Sequence, residues 1–481
     1  MQTRIRQART VFLVVLISQF ISALGTGLTQ FALGVFVYQR TGSTTQFALV
    51  LVFTMIPAIL LSPFSGALGD RWDRRRMMLY SNAASGVVIL LMLLLNRAGS
   101  LELWHIYAGA ALLAVCGAFR DPAYYASVSQ LVSGKQLGRA SGLVQTAENV
   151  GIVAPPLIAG VLLATAGLSG VLVIDLISYI VGGVALLVTA FPRVEHAERD
   201  AGKPSLWSDM AVGWSYVTTH RGFFLLFLFG AFISFAVGLT QIVVTPLVLS
   251  FTSASILGVT FSAGGFGIFL GGMAMAAWGG PARRITGVLG FGLIQALSLM
   301  IAGLRPNAVL IGLGLFGCLF CIQFVRGCTA TIIRTYVPHT MQARVFSLNR
   351  FVAWSTLPLA YLLAGPLSDA FTPLLRPSGS LAGSVGRVLG TGPGRGIGLL
   401  LIVLGAAFLL VVLAAYLNPL LRDLESRMQA VTSPGENADP RTEEPPDERA
   451  GHPGEPADER ADGAPDLAEA RRANGQEGDR S

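Results

Sequence analysis

The chain has 481 residues, of which 53% are hydrophobic and only 13% are charged, and its formal net charge is +7. Soluble domains carry roughly 25% charged residues, so this composition excludes an ordinary soluble enzyme and indicates a protein embedded in lipid. The basic excess does not indicate nucleic-acid binding. The arginines and lysines lie in short loops between long apolar runs, where they orient a membrane protein.

Twelve apolar segments, each long enough to cross a bilayer, follow one another along the chain. We predict spans at 11–38, 46–69, 77–96, 104–126, 140–165, 170–191, 222–248, 254–278, 286–303, 307–333, 345–371 and 396–418. An even number of spans places both ends of the chain on one side of the membrane. The predicted fold is therefore an all-α integral membrane protein with twelve transmembrane helices.

The loops on one side of this predicted membrane are richer in basic residues than the loops on the other side. The basic loops hold Arg4, Arg6, Arg9, Arg71, Arg74, Arg75, Arg76, Lys135, Arg139, Arg193, Arg199, Lys203, Arg283, Arg284 and Arg344. The opposite loops hold mainly Arg40, Arg97 and Arg305, with a partial exception in the last loop at Arg376, Arg387 and Arg395. Because basic loops stay in the cytoplasm, we predict that both termini are cytoplasmic.

We divide the chain into four parts: a six-helix bundle over 1–191, a cytoplasmic linker over 192–221, a second six-helix bundle over 222–418 and a cytoplasmic tail over 419–481. In the linker, helical spacing relates Trp207, Met210, Trp214 and Val217. This spacing predicts an amphipathic helix on the inner membrane surface, with a partner-binding helix as the alternative. The tail from 433 onward has 14 acidic residues, 6 arginines and almost no aliphatic residues, which predicts disorder.

A weak internal repeat relates the two bundles at an offset of 205 residues. It places Gly66 on Gly271, Gly160 on Gly365, and the segment 130–139 on the segment 335–344. The same offset equates spans 2, 4 and 5 with spans 8, 10 and 11. We therefore predict two six-helix halves in parallel orientation.

The loop after the second span carries a glycine, an aspartate and two arginines at the spacing G-x-x-x-D-R-x-x-R. These residues are Gly66, Asp70, Arg71 and Arg74. This loop resembles the one between helices two and three of the major facilitator superfamily, although Asp73 stands at a position that is usually glycine. The resemblance implies that the loop latches the outward-open state, so that these residues act as a gate. The alternative is a basic loop that only orients the chain and holds it at the anionic membrane surface.

The fifth span is similar to the antiporter motif of the same superfamily. The motif falls on Gly142, Gly151, Pro155, Pro156 and Gly160. Pro155 and Ala159 stand at two positions where the motif has glycine. Small residues permit close helix packing and prolines bend a helix. Other short segments, such as Arg120-Asp121-Pro122-Ala123, resemble the bacterial branch of enterobactin and macrolide exporters. The fifth-span motif implies export in exchange for protons across a bacterial cytoplasmic membrane, with ordinary helix packing as the alternative.

Ionisable residues inside spans are costly in lipid, so each is a candidate for function. We predict Glu148 as the first candidate for proton coupling and Asp175 as the second, with a structural hydrogen bond and helix capping as their respective alternatives. Arg120, Asp121 and Arg326 are candidates for a charge network or for substrate contact. The polar residues that could line a cavity are Gln19, Gln30, Asn149, Gln241 and Gln323.

The predicted function is proton-coupled efflux of an amphipathic small molecule, such as a drug, antibiotic, siderophore or metabolite, by alternating access of a monomer. An importer on the same fold and a non-transporting receptor or scaffold are the alternatives. The chain has no G-x-x-x-x-G-K-[ST] loop and no recognisable catalytic pair among its five histidines, so we expect neither an ATP-driven pump nor an enzyme. We expect no cofactor, no metal site and no nucleic-acid partner; the four cysteines lie in apolar stretches.

Overall fold

The fold was analysed in a computed structural model, which describes residues 2–69, 73–132, 136–189 and 206–432. In these ranges, twelve helices are long and apolar enough to span a membrane. They are α1 (Gln2–Thr41), α2 (Thr44–Gly69), α3 (Arg74–Arg97), α4 (Leu103–Leu131), α5 (Leu137–Thr165), α6 (Gly167–Val188), α8 (Arg221–Leu249), α9 (Ala254–Trp278), α10 (Arg284–Leu304), α11 (Ala308–Tyr336), α12 (His339–Phe371) and α14 (Arg395–Leu417). The predicted twelve-helix fold is confirmed.

Five shorter elements complete the described chain. They are α7 (Leu206–Thr219), a 3-10 helix (Thr372–Leu375), α13 (Val385–Leu389), α15 (Pro419–Arg422) and α16 (Leu424–Thr432). The predicted linker helix corresponds to α7, of which the side chains of Trp214 and Val217 on the predicted apolar face are described. Val217 is 1% exposed whereas Trp214 is 48% exposed, so α7 packs partly on the protein. The tail from 433 onward and the linker residues 190–205 lie outside the described residues.

Helix ends follow local capping chemistry more than hydropathy. The Asn307 side chain accepts hydrogen bonds from the backbone of Val309 and Leu310 and so begins α11. Gly279 ends α9 in a left-handed conformation at φ +75°. The helix α12 begins at His339, six residues before the predicted start, because its first turns are polar and a hydropathy window does not detect them.

The two halves repeat the same set of helix contacts. In the first half α1 packs on α5 and α6, α2 packs on α4, and α3 packs on α4 and α6. In the second half the equivalent pairs are α8 with α12 and α14, α9 with α11, and α10 with α11 and α14. This pairwise correspondence is the arrangement that the 205-residue offset predicts for two parallel repeats.

The basic residues between α12 and α14 include one with a structural role. Arg395 is 3% exposed, and its guanidinium donates hydrogen bonds to the carbonyl oxygens of Gly303 and Leu304 at 3.2 and 2.8 Å. A cation stabilises the carbonyl end of a helix, here α10. Arg395 therefore ties the beginning of α14 to the end of α10, which removes one arginine from the apparent exception to the charge bias.

Candidate functional site

The largest contacts between the two halves are made by two helix pairs, α5 with α9 and α2 with α12. We call the end of the bundle where α1, α5 and α12 begin the proximal end, and the end where α2 and α9 begin the distal end. At the distal end, a Cβ atom added to Gly160 would lie 2.6 Å from the carbonyl oxygen of Ala254. One added to Gly365 would lie 2.6 Å from the Cα atom of Thr45. Backbones thus meet directly at both distal contacts, as small residues permit.

Hydrogen bonds cross both distal contacts. The Ser255 hydroxyl donates to the Gly160 carbonyl oxygen at 3.1 Å, and the Ser262 hydroxyl donates to the carbonyl oxygen of Val153 at 2.9 Å. In the other pair, the Thr44 and Ser368 hydroxyls lie 3.2 Å apart. The distal end is therefore closed by two interfaces that occupy equivalent positions in the internal repeat.

The same helix faces separate toward the proximal end. On α5, Gly142, Asn149, Pro156 and Gly160 recur at intervals of seven, seven and four residues and so share one face. Pro156 and Gly160 touch α9, whereas no atom lies within 4 Å of a Cβ added to Gly142. This leaves a central cleft between the halves that opens at the proximal end.

The corresponding face of α12 shows the same change along its length. Gly365 and Ser368 touch α2 at the distal end. Trp354 lies eleven residues before Gly365, three turns away on the same face, and is 54% exposed; Phe351 beside it is 51% exposed. The cleft therefore has an apolar aromatic wall on α12 in addition to the walls formed by α5.

Glu148 lies on the wall of the central cleft, near the middle of α5. It accepts a hydrogen bond from the Tyr125 hydroxyl of α4 at 2.5 Å and another from the Gln145 side-chain amide at 3.2 Å. Gln145 and Ile152, which precede and follow Glu148 by about one turn, are both exposed. Tyr125 and Gln145 therefore hold the Glu148 carboxylate in position.

Arg120 and Asp121 form an ion pair on α4, with 3.1 Å between Arg120 Nε and an Asp121 carboxylate oxygen. The Arg120 side chain is only 14% exposed and that of Asp121 is 55% exposed. Asp121 and Tyr125 are one helical turn apart, so the ion pair lies next to the hydroxyl that binds Glu148. The structure thus brings together three of the predicted residues on facing sides of α4 and α5.

Asp175 is completely buried between α1 and α6. Its carboxylate accepts hydrogen bonds from the hydroxyls of Thr29 at 2.5 Å and Ser178 at 3.2 Å. Close packing reinforces this position, because a Cβ added to Gly25 would lie 2.5 Å from an Asp175 oxygen. Asp175 lies eight residues inside α6, so capping of that helix, the alternative weighed above, is wrong. The hydrogen bond from Thr29 of α1 shows a role in helix packing.

The predicted candidate of the second half is Arg326 on α11. Arg326 is exposed on the face of α11 that also carries Leu315, Leu319 and Ile322, at intervals of four, three and four residues. The exposed Val309 and Leu313 lie on the other side of this helix. Arg326 is thus an exposed cationic group one turn beyond the buried Ile322.

The remaining predicted cavity residues occupy different environments. Gln19 is 7% exposed and lies inside the first half, not on the cleft wall. Gln241 is exposed on α8 and accepts a hydrogen bond from the Tyr361 hydroxyl at 3.2 Å. Gln323 packs beside Gly271 of α9, and Gln30 is exposed on α1. Asn149 is half-buried on the face of α5 that leads to α9.

The sequence model of the Major Facilitator Superfamily matches residues 15–361, more than half of the chain. The chain belongs to the major facilitator superfamily. Its curated relatives include macrolide efflux protein A of Streptococcus pyogenes, which is 20% identical over 375 residues, covering 74% of this chain and 89% of the relative. The multidrug efflux pump Tap of Mycobacterium tuberculosis is 26% identical over 387 residues, covering 74% and 87%.

Solved structures of the superfamily share this fold. A bacterial homolog of the human lysosomal transporter Spinster, in an inward-facing and unoccupied conformation, aligns with a TM-score of 0.62 at 16% identity and covers 84% of this chain and 97% of that one. A bacterial homologue of the iron transporter ferroportin, in an inward-facing state, aligns with a TM-score of 0.59 at 14% identity and covers 83% and 98%.

The loop motif that resembles the superfamily's gate is described only in part. Gly66 lies in α2, while Asp70 and Arg71 are outside the described residues. Arg74 donates a hydrogen bond to the Ala126 carbonyl oxygen of α4 at 2.8 Å. Its neighbour Arg75 donates to two carbonyl oxygens at the end of α6, both at 2.7 Å. Both arginines thus bind backbone carbonyls of their own half and are not simply directed at the membrane surface. The contacts of Arg75 are those expected at a helix end, because the last carbonyls of a helix attract cations.

The antiporter-like motif of this superfamily member lies along two contacts of α5. Pro155 packs on Gly27 of α1, where an added Cβ would lie 2.6 Å from the proline ring. Gly151 faces Ala23 of α1, and Gly160 packs on α9. The motif residues therefore form close contacts both within the first half and between the halves.

Sequence reasoning did not identify Tyr125, Thr29 or Tyr179, each of which contacts this polar system. The Tyr179 hydroxyl lies 2.8 Å from that of Thr26, and Tyr179 also interacts with Arg120. Tyr125 could have been found, because it follows Asp121 by four residues on one helix face. The other contacts join α1 to α6 across about 150 residues of chain, and no local pattern indicates them.

Proposed function

We propose that this superfamily member is a proton-coupled antiporter that exports amphipathic small molecules by alternating access. The observation that carries the proposal is the position of Glu148: an ionisable carboxylate on the wall of a central cleft, held by Tyr125 and close to the Arg120–Asp121 pair. The names of the relatives from Streptococcus pyogenes and Mycobacterium tuberculosis, a macrolide efflux protein and a multidrug efflux pump, support export as the direction.

The lining of the cleft supports an amphipathic substrate. Phe351 and Trp354 offer exposed aromatic surface on α12, while Glu148 and Asp121 offer carboxylates on the opposite half. An apolar wall with a few convergent polar groups is the usual lining of a small-molecule site. Arg326 adds a cation that can interact with a carboxylate when the substrate is absent.

We further propose that the proximal end faces the cytoplasm of a bacterial cell, with both termini on that side. The support is the excess of arginine and lysine in the proximal loops. The structure would then represent the inward-open state, in which substrate and Glu148 both reach the cytoplasm. Rocking of the halves about the central cleft would open the distal contacts and expose Glu148 to the outside, where it takes up a proton.

The test uses purified protein in liposomes with a panel of labelled macrolides, siderophores and lipophilic cations. An acid lumen drives accumulation by an antiporter, whereas an acid exterior drives accumulation by a symporter; this difference holds for either orientation of the protein. We expect accumulation with an acid lumen that an uncoupler abolishes. Accumulation driven by an acid exterior would show an importer, and the absence of flux for the whole panel would contradict the proposed substrate class.

The role of Glu148 is tested by Glu148→Gln, which keeps the shape of the side chain and cannot release a proton. We expect it to lose gradient-driven accumulation and to keep exchange of labelled for unlabelled substrate without a gradient. Glu102→Gln is the matched control, because Glu102 is an exposed carboxylate at the distal beginning of α4. Asp175→Asn is assayed in parallel; loss of coupling in this variant, with full coupling in Glu148→Gln, would reassign the proton to Asp175.

A further inference from the structure

A second cavity, separate from the central cleft, lies at the proximal end of the second half. It has a volume of about 420 Å³ and lies between the end of α7, the beginning of α8 and the turn that follows α14. Its lining residues are Thr218, Arg221, Phe224, Leu225, Asn418 and Leu420. The volume falls in the range of about 300–1,000 Å³ that is usual for small-molecule sites.

The walls of this cavity are fixed by close contacts. Asn418 caps the turn after α14 by accepting a hydrogen bond from the Leu420 backbone at 2.9 Å. A Cβ added to Gly222 would lie 2.9 Å from the Leu420 carbonyl oxygen, so α8 and α15 meet backbone to backbone. On the other side, the Trp214 ring of α7 packs edge-on against Phe224, with 6.3 Å between ring centroids.

The lining divides into a polar side and an apolar side. Arg221 is exposed at the first position of α8, where the positive end of the helix dipole adds to its charge. The Asn418 side-chain oxygen is used in the turn, which leaves its amide NH₂ as a donor for a ligand. Phe224, Leu225 and Leu420 form the apolar side. The ligand that matches this lining combines one negative charge with a hydrocarbon chain.

The position of the cavity relative to the membrane selects among such ligands. Trp214, Tyr416 and Leu417 near it are 48%, 54% and 74% exposed. Exposed Trp and Tyr side chains at the ends of spanning helices lie at the level of the lipid headgroups. The polar side of the cavity is therefore at headgroup level, and its apolar side continues toward the acyl chains.

We propose that this cavity binds one anionic phospholipid, with the phosphate on Arg221 and Asn418 and an acyl chain along Phe224, Leu225 and Leu420. The lipid contacts all three elements that line the cavity: the end of the linker helix α7, the beginning of α8 and the turn after α14. Since α7 also packs on α12 at Gly213, near the Arg344 carbonyl, the bound lipid stabilises the second half as a unit. This proposal does not depend on the transported substrate.

The experiment titrates phosphatidylglycerol into the detergent-purified full-length protein and follows the thermal unfolding midpoint. We expect a saturable rise of about 2–5 °C. The variant Arg221→Gln is expected to need at least tenfold more lipid for the same rise. Arg283→Gln is the matched control, because it removes the same charge from an exposed position at the same end of the bundle, outside the cavity; it should titrate like the wild type.

Three parallel arms identify the ligand chemistry. Phosphatidylcholine tests the need for net negative charge, while glycerophosphoglycerol and inorganic phosphate test the need for an acyl chain. The proposal predicts that none of the three reproduces the saturable rise. It is overturned if any of them stabilises the wild type as well as phosphatidylglycerol does, or if Arg221→Gln and Arg283→Gln respond alike. Native mass spectrometry of the wild type with mixed lipids provides a measurement that no substitution affects.

Discussion

Gly160→Val should shift the protein away from the state with a closed distal end. The added Cβ would lie 2.6 Å from the Ala254 carbonyl oxygen and 3.2 Å from the Cα atom of Ser255. Carbon atoms pack best at about 3.5–4.0 Å, so α5 and α9 must separate by about 1 Å at this point. The obstacle is backbone, which cannot rotate away as a side chain would.

The expected size of the shift follows from the cost of overpacking. Inserting methyl groups into a packed interface costs about 1–3 kcal/mol. If that cost falls on the distally closed state alone, the equilibrium between the two states changes by a factor of about 5–150. The variant should therefore spend much more time with the distal end open and the proximal cleft closed.

The assay measures the proximal distance between α5 and the end of α9 by double electron–electron resonance between two spin labels. Labels are attached at Ser141 and Ala282, both exposed at the proximal end, in a background with the four native cysteines replaced. We expect a shorter distance population to grow in Gly160→Val. The control is Gly290→Val on α10, where no atom lies within 4 Å of an added Cβ. Equal distance distributions for Gly160→Val and Gly290→Val would refute the reasoning.

Three further substitutions test the contacts of the first half. Tyr125→Phe removes the hydroxyl that donates to Glu148, and we expect gradient-driven transport to fall about 5–10-fold, in keeping with about 1 kcal/mol for one hydrogen bond; unchanged transport would contradict a positioning role. Gly25→Ala places an atom 2.5 Å from the Asp175 carboxylate, so we expect a lower thermal unfolding midpoint for the purified protein. An unchanged midpoint would contradict close packing at this position. Arg75→Gln loses two hydrogen bonds to the end of α6 and should destabilise the protein by about 1.5–3 kcal/mol in a denaturant titration, whereas a cost near zero would show that these bonds contribute nothing.

The number and order of the membrane helices could be predicted from the sequence, because hydropathy over about 20 residues reports directly on the ability to cross a bilayer. The helix ends were harder to predict from the sequence. The polar first turns of α12 continue the helix beyond its apolar run, and the buried Arg395 looks like a loop charge until its carbonyl partners on α10 are known.

The candidate site could be predicted residue by residue but not as an arrangement. Glu148 and Arg120 were identifiable because a charge inside an apolar span is rare. The hydrogen bond between Tyr125 and Glu148 was not identifiable, since the two residues belong to different helices and side-chain orientation depends on how α4 and α5 pack. Gln19 is an example: a glutamine suits a cavity wall, but the side chain of Gln19 is buried inside the first half.

The internal repeat separates what the two halves share from what they do not. Gly160 and Gly365 occupy equivalent positions, and each lets a backbone of the other half approach closely, so the two distal contacts have the same construction. The charged groups do not repeat: the same offset places Asp121 on Arg326 and Glu148 on Ala353. Because the two distal contacts have the same construction, one rocking motion of the halves can open both of them. If Glu148 carries the proton, as proposed, the coupling group belongs to the first half alone, because Ala353 stands at the equivalent position of the second half.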